Sequence, residues 1–153
     1  PSARRRCRCS STQIQRYLAK ISGPLLDRID LHIDVPAVPF QALTQGPDGE
    51  PSAMIKARVV KARKRQRKRL GREGEFSNAQ MRHRQIQKCC QLTPPSRDLL
   101  KQAMEELHLS ARSYDKVLKI SQTIADLATS ELIQPEHVAE AIQYRSLDRQ
   151  LWA

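Results

Sequence analysis

Three sets of residues have types and spacings that can do chemistry. The first is a pair of arginines: Arg28 closes the run Pro24-Leu25-Leu26-Asp27-Arg28, and Arg112 follows Ser110-Ala111. A guanidinium is permanently charged, and its planar fork matches phosphate oxygens, so either arginine can read a phosphoryl group. Either can equally make an ordinary ion pair, Arg28 with Asp27 or Asp30 and Arg112 with Asp115 at i+3. Arg112 has one further property. Ser110 stands where an N-cap should, which puts Arg112 in the first turn of a helix. A cation there opposes the helix dipole, while the free amides beside it attract anions; the two together suit a phosphate.

The second set is a basic run. Lys56, Arg58, Lys61, Arg63, Lys64, Arg65, Arg67, Lys68 and Arg69 lie within fourteen residues that contain no acid. Wound as a helix they cover most of its circumference. Like charges four residues apart (Lys61 with Arg65, Arg63 with Arg67, Lys64 with Lys68) repel by roughly 0.2–0.5 kcal/mol per pair. A solvated helix face is the plain reading of a charge run, and the lack of acids weighs against it. A polyanion would relieve the repulsion, with DNA phosphates the natural one. No aromatic residue is interleaved, so the expected binding is led by the backbone and independent of sequence. The chain's net charge of +11 points the same way.

The third set is Cys7-Arg8-Cys9, which offers two of the four ligands that a tetrahedral zinc site needs. Two free thiols on a tail is the plainer reading. Cys89 and Cys90 are expected to pack inside a helical unit. Four cysteines with no secretion signal read as reduced thiols of a cytoplasmic protein. No run of about 18 apolar residues occurs, so no membrane span is expected. His32 and His137 are read as ordinary surface residues. No Gly-Lys-Ser/Thr phosphate loop occurs in the sequence; Gly71 and Gly74 are the one pair of glycines near basic residues. These 153 residues are therefore expected not to hydrolyse ATP alone, and the missing initial Met suits a piece of a longer protein.

The elements that must position these groups are mainly helical. Hydrophobic residues make up 39% and aromatics only 4%, which fits a core of Leu, Ile, Val, Ala and Met in a small helix bundle. Ser10 and Gln13 form a possible capping box for a helix over 11–20. Pro24 can start a single turn ending at Arg28. Ile29 to Val35 alternates apolar and polar without error, which predicts a half-buried strand ended by Pro36. A lone strand has no ladder partner, so residues 1–36 read as the end of a larger α/β core and are expected to be poorly ordered alone. Residues 37–52, with Pro39, Gly46-Pro47, Gly49 and Pro51, form a linker. Residues 53–90 hold the basic helix, with Ser52 as its cap, and a short helix from Asn78. Residues 91–147 hold three amphipathic helices opened by Thr93-Pro94, Ser110 and Pro135, and 148–153 are a tail.

The segment Ser22-Gly23-Pro24-Leu25-Leu26-Asp27-Arg28-Ile29-Asp30 resembles a signature of the magnesium-chelatase-like AAA+ ATPases of the ComM/YifB type. Leu109-Ser110-Ala111-Arg112-Ser113-Tyr114, Ile124-Ala125-Asp126-Leu127 and Ala139-Glu140-Ala141-Ile142-Gln143-Tyr144-Arg145 resemble later segments of that family in the same order. The resemblance implies the AAA+ C-terminal helical lid, preceded by the last helix and strand of an α/β ATPase core. It implies that Arg28 is an arginine finger acting on a neighbouring subunit's ATP, and that Arg112 is the sensor-2 arginine touching its own subunit's γ-phosphate. It further implies ATP with Mg²⁺ as cofactor, assembly into a hexameric ring, and a second Cys-x-Cys upstream that would complete the zinc site. Relatives of this type drive DNA branch migration, which the basic helix fits. A chelatase-type motor acting on a protein or porphyrin partner is the alternative, and a non-enzymatic basic module that binds nucleic acid is a third reading. The last leaves Arg28 and Arg112 unexplained.

Overall fold

The computed structural model describes residues 8–38, 40–44, 49–71 and 77–145. The elements are α1 (Ser11–Leu18), α2 (Gly23–Leu26), α3 (Phe40–Thr44), α4 (Ser52–Leu70), a 3-10 turn (Asn78–Gln80), α5 (His83–Cys89), α6 (Pro94–Glu106), α7 (Ala111–Leu127) and α8 (Pro135–Gln143). The expected helix bundle forms, and α7 is its axis. α4, α5 and α8 all pack on α7, and α6 packs on α8. The core joins Leu70 of α4, Met81, Ile86 of α5, Leu100 of α6, Val117, Leu118 and Ala125 of α7, Ile133, and Val138 and Ala141 of α8. These residues recur at helical spacing, so each helix buries one stripe and leaves its polar face to water.

Local chemistry explains most of the boundaries. The Ser10–Gln13 capping box closes in both directions at the start of α1. Ser110 accepts from the Ser113 amide and caps α7. The Ser52 cap is not made: α4 begins one residue earlier, with Pro51 at the N-cap and Ser52 inside the helix. α6 and α7 end with His108 (φ 48°) and Thr129 (φ 60°) in the left-handed region, with no glycine at either site. Their next amides reach back, Leu109 to Met104 O and Ser130 to Ala125 O, closing each helix in a Schellman motif. An isolated parallel bridge between Leu92 and Ile133 joins the loops before α6 and α8.

The predicted strand does not form, and no strand occurs among the described residues. Ile29–Val35 has no ladder partner there; the segment runs across the lid instead, with the His32 amide donating to the Tyr144 carbonyl at 2.8 Å. Neither face of the segment is covered along its length, and the one buried side chain lies on the polar side. His32 is buried, while Ile33 and Val35 on the apolar side are 66% and 80% exposed. Alternation marks two faces, but which one is covered depends on the partner. His137 is likewise buried, because its ring Nδ1 accepts from the Gln134 amide at the start of α8. The expected linker contains the short helix α3.

α4 is held to the bundle by charge as much as by packing. Asp126, 0% exposed, lies in the last turn of α7, the end where a carboxylate opposes the dipole. Arg69 Nη1 donates to it at 3.1 Å and Asn78 Nδ2 at 2.9 Å, while Arg65 Nε approaches to 3.6 Å. Burial alone would lower the Arg69 pKa; the hydrogen bond and charge of Asp126 outweigh it and raise the value. Asp126→Ala would strand the buried Asn78 amide and the half-buried arginines and should destabilise the fold by about 3 kcal/mol in urea denaturation. Glu50→Ala, which breaks only the exposed pair with Arg58 at 2.9 Å, should cost less than about 1 kcal/mol.

Candidate functional site

The N-terminal end of α7 forms the candidate site. The turn after α2 brings Asp27 against it. Asp27 Oδ1 accepts from Ser110 Oγ and Ser113 Oγ, both at 3.0 Å. Its Oδ2 lies 3.4 Å from Arg112 Nη1. Behind it sits Arg145, whose side chain is fully buried at the end of α8. Arg145 Nη1 donates to the Ile29 carbonyl at 2.6 Å and Nη2 to Ser113 Oγ at 3.2 Å; Nη2 also stands 3.8 Å from Asp27 Oδ1. Burial by itself would raise the Asp27 pKa. The hydroxyls of Ser113 and Ser110, with the charges of Arg112 and Arg145, outweigh that and hold it below the usual carboxylate range.

An open cleft of about 590 Å³ borders this knot, lined by Arg28, Asp30, His83, Ala111, Arg112, Asp115, Lys116 and Lys119. The two arginines singled out by sequence therefore face one cavity. Their expected ion pairs are replaced. Arg28 donates to the Pro24 carbonyl at 3.0 Å. Asp30 pairs with Lys116 at 2.7 Å. Asp115 accepts from His83 Nδ1 at 3.0 Å, and Gln87 Nε2 donates to the other ring nitrogen. Lys119 Nζ donates to the Ala79 carbonyl at 3.0 Å. The cleft thus gathers four permanent cations against two carboxylates, and an anion entering it would meet net positive charge.

Sequence reasoning missed Arg145, Asp27, Lys116, Lys119 and His83 as parts of this site. Lys116 and Lys119 follow Arg112 at i+4 and i+7, a spacing that places all three on one face of α7 and was there to be read. Nothing local marks Arg145, because its partners lie far back in the chain. Of the basic run, Arg65 and Arg69 are turned inward to Asp126, and Arg65 Nη2 also donates to the Ser130 carbonyl at 2.6 Å. Arg58 is paired with Glu50, and Arg63 donates to Gln66. Lys56, Lys61, Lys64, Arg67 and Lys68 are exposed. Lys61, Lys64 and Lys68 share the side of α4 opposite its buried Ala62, Gln66 and Leu70.

Cys7 lies outside the described residues, and Cys9 is exposed. Among the described residues no three His, Cys, Asp or Glu side chains converge to hold a metal ion. Burial, reinforced by the neighbouring Cys89, pushes the Cys90 thiol up to about 12, which keeps it protonated. No helix among the described residues is long and apolar enough to cross a membrane.

The helical bundle is the architecture expected of an AAA+ lid, and the family comparison agrees. Residues 49–145 match the family described as magnesium chelatase, subunit ChlI C-terminal, and residues 1–43 match magnesium chelatase, subunit ChlI. The chain belongs to this magnesium-chelatase-like family. Among individual proteins it is 41% identical to the competence protein ComM of Haemophilus influenzae over 145 residues. It is 39% identical, again over 145 residues, to the uncharacterized protein YifB of Escherichia coli and to that of Salmonella typhimurium. Each match covers 94% of this chain and 28% of the relative, so the chain spans little more than a quarter of their length.

The Asp27 knot has a pH signature. Because its folded pKa is depressed, its contribution is complete above the unfolded-state value, near pH 4, and is lost as pH falls through the folded value. Acid titration of stability should therefore show a decline below about pH 4 that is shallower in Asp27→Asn.

Proposed function

We propose that this chain is the lid and finger portion of a ring-forming AAA+ ATPase that couples ATP hydrolysis to work on DNA. The observation that carries the reading is the single cleft lined by Arg28, Arg112, Lys116 and Lys119. Phosphoryl transfer spreads negative charge over the terminal phosphate oxygens, and positioned cations stabilise it without covalent chemistry. Arg28 and Arg112 supply two guanidinium forks, and the two lysines add point charges along the same face of α7. A nucleotide in this cleft would bring its Mg²⁺ on its own phosphates, since the carboxylates here, Asp30 and Asp115, are engaged by Lys116 and His83.

The shared cleft refines the roles drawn from the family resemblance. That resemblance gives Arg28 a neighbour's ATP and Arg112 its own. Two arginines in one cavity favour one phosphate for both. If Arg28 reaches a neighbouring subunit's nucleotide, Arg112 meets the same one, and loss of the phosphate on hydrolysis frees finger and sensor together.

The load is DNA, bound along the exposed ridge of α4. Arg65 and Arg69 belong to the fold; Lys61, Lys64, Arg67 and Lys68 are left facing water. α4 also begins with ten exposed residues, Ser52 to Lys61, so it extends beyond its contact with α7 by roughly 15 Å. The relative named as a competence protein is in keeping with a DNA load. A chelatase-type load on a protein partner gives this acid-free ridge no role.

In the full-length protein, Arg28→Ala and Arg112→Ala should each lower turnover by about 10³–10⁵-fold with ATP binding nearly intact. The double variant should be little worse than either single one, because both side chains serve one phosphate. Multiplying effects would assign them to different nucleotides. DNA binding should weaken with salt at a log–log slope of roughly −3 to −4, for about four phosphate contacts. The Lys61→Ala, Lys64→Ala, Lys68→Ala triple variant should lower that slope by about 2–3, and an unchanged slope would remove α4 from the DNA path.

A further inference from the structure

We propose that Asp27 is a positioning residue that makes the Arg28 turn and the Arg112 helix move as one body, and that its carboxylate holds Arg112 in the phosphate's place until a nucleotide arrives. The inference rests on the nucleotide reading of the cleft given above. It goes beyond that reading by naming what couples the two arginines and what competes for one of them.

The two oxygens of Asp27 have different work. Oδ1 is bound to the lid by Ser110 and Ser113 at 3.0 Å each, with the buried Arg145 at 3.8 Å. Arg145 also grips the Ile29 carbonyl, so the chain is pinned on both sides of Arg28. Oδ2 faces Arg112 at 3.4 Å, a long contact between side chains that are 27% and 54% exposed. An exposed, long, single-point ion pair is weak and easily surrendered. A terminal phosphate carries more charge and offers Arg112 a two-point grip, so it takes the guanidinium from Asp27. The exchange does not release the turn. Oδ1 keeps its three lid partners, and Arg28, one residue along, stays fixed relative to α7. Finger and sensor then approach the phosphate with a set separation, and misplacing such a group by about 1 Å can cost on the order of 10²-fold in rate.

This arrangement predicts opposite movements of two kinetic constants. Asp27→Asn removes the charge that competes for Arg112 while loosening the anchor at Oδ1. In the full-length protein its kcat for ATP hydrolysis should fall about tenfold or more, while its KM for ATP stays level or falls several-fold. Asp27→Glu, which keeps the charge, should recover part of the kcat. Ser113→Ala leaves the Asp27 charge in place and removes one lid anchor; its kcat should fall with KM unchanged, and this variant decides the matter if Asp27→Asn does not fold.

An Asp27→Asn or Ser113→Ala protein with wild-type kcat overturns the proposal. So does a loss of kcat accompanied by a raised KM in a variant that keeps its thermal transition, because the proposal requires KM to stay level or fall. Arg28→Ala and Arg112→Ala separate the two levels of the argument. If both turn over like the wild type, the nucleotide reading itself has failed. If both collapse while Asp27→Asn is silent, only the coupling role has failed.

Discussion

A carboxylate with no access to water must be neutralised by groups brought to it from elsewhere, and Asp126 in the last turn of α7 imposes that demand on the bundle. Its position near the helix C-terminus makes the demand stronger, because the dipole there is already negative. Arg69 and Arg65 from α4, Asn78 from the 3-10 turn and Gln122 from α7 itself converge on it. The cost of burying these groups is tolerable because the Arg69 fork and the Asn78 amide fill the carboxylate's acceptor sites. The result fixes where α4 leaves the bundle, and hence where its outer face points.

The opposite end of α7 follows the same rule with a looser outcome. Asp27 is partly exposed and is met by two hydroxyls, one buried guanidinium and one exposed guanidinium. The last of these is the most exposed and one of the longest contacts in the group. α7 therefore has a fully buried carboxylate knot at its C-terminus and a partly exposed one at its N-terminus. Under the nucleotide reading proposed above, that asymmetry would let the lid hold its shape while one end responds.

The basic helix divides along its circumference for the same reason. Its inward arginines compensate Asp126, and its outward lysines face water. A run of nine cations that reads as one polyanion-binding surface in sequence is divided in space, one part building the lid and the other facing water. Charge counts alone overstate such surfaces whenever a buried acid lies within reach.

The sequence by itself determined the helices, the stripes that form the core, the caps at Ser10 and Ser110, and the two arginines worth following. Each of these depends on neighbours within a few residues, where spacing and side-chain type are decisive. The family was legible in its ordered motifs as well. Tertiary structure alone decided that Arg28 and Arg112 share a cleft, that Arg145 and Asp126 are buried, and that Arg65 and Arg69 turn inward. It also decided that His32 is covered while Ile33 and Val35 are not. Those outcomes rest on pairings across tens of residues, such as Asp27 with Arg112 or Arg69 with Asp126. Periodicity shows that a residue has a face, but only the packed chain settles what that face meets.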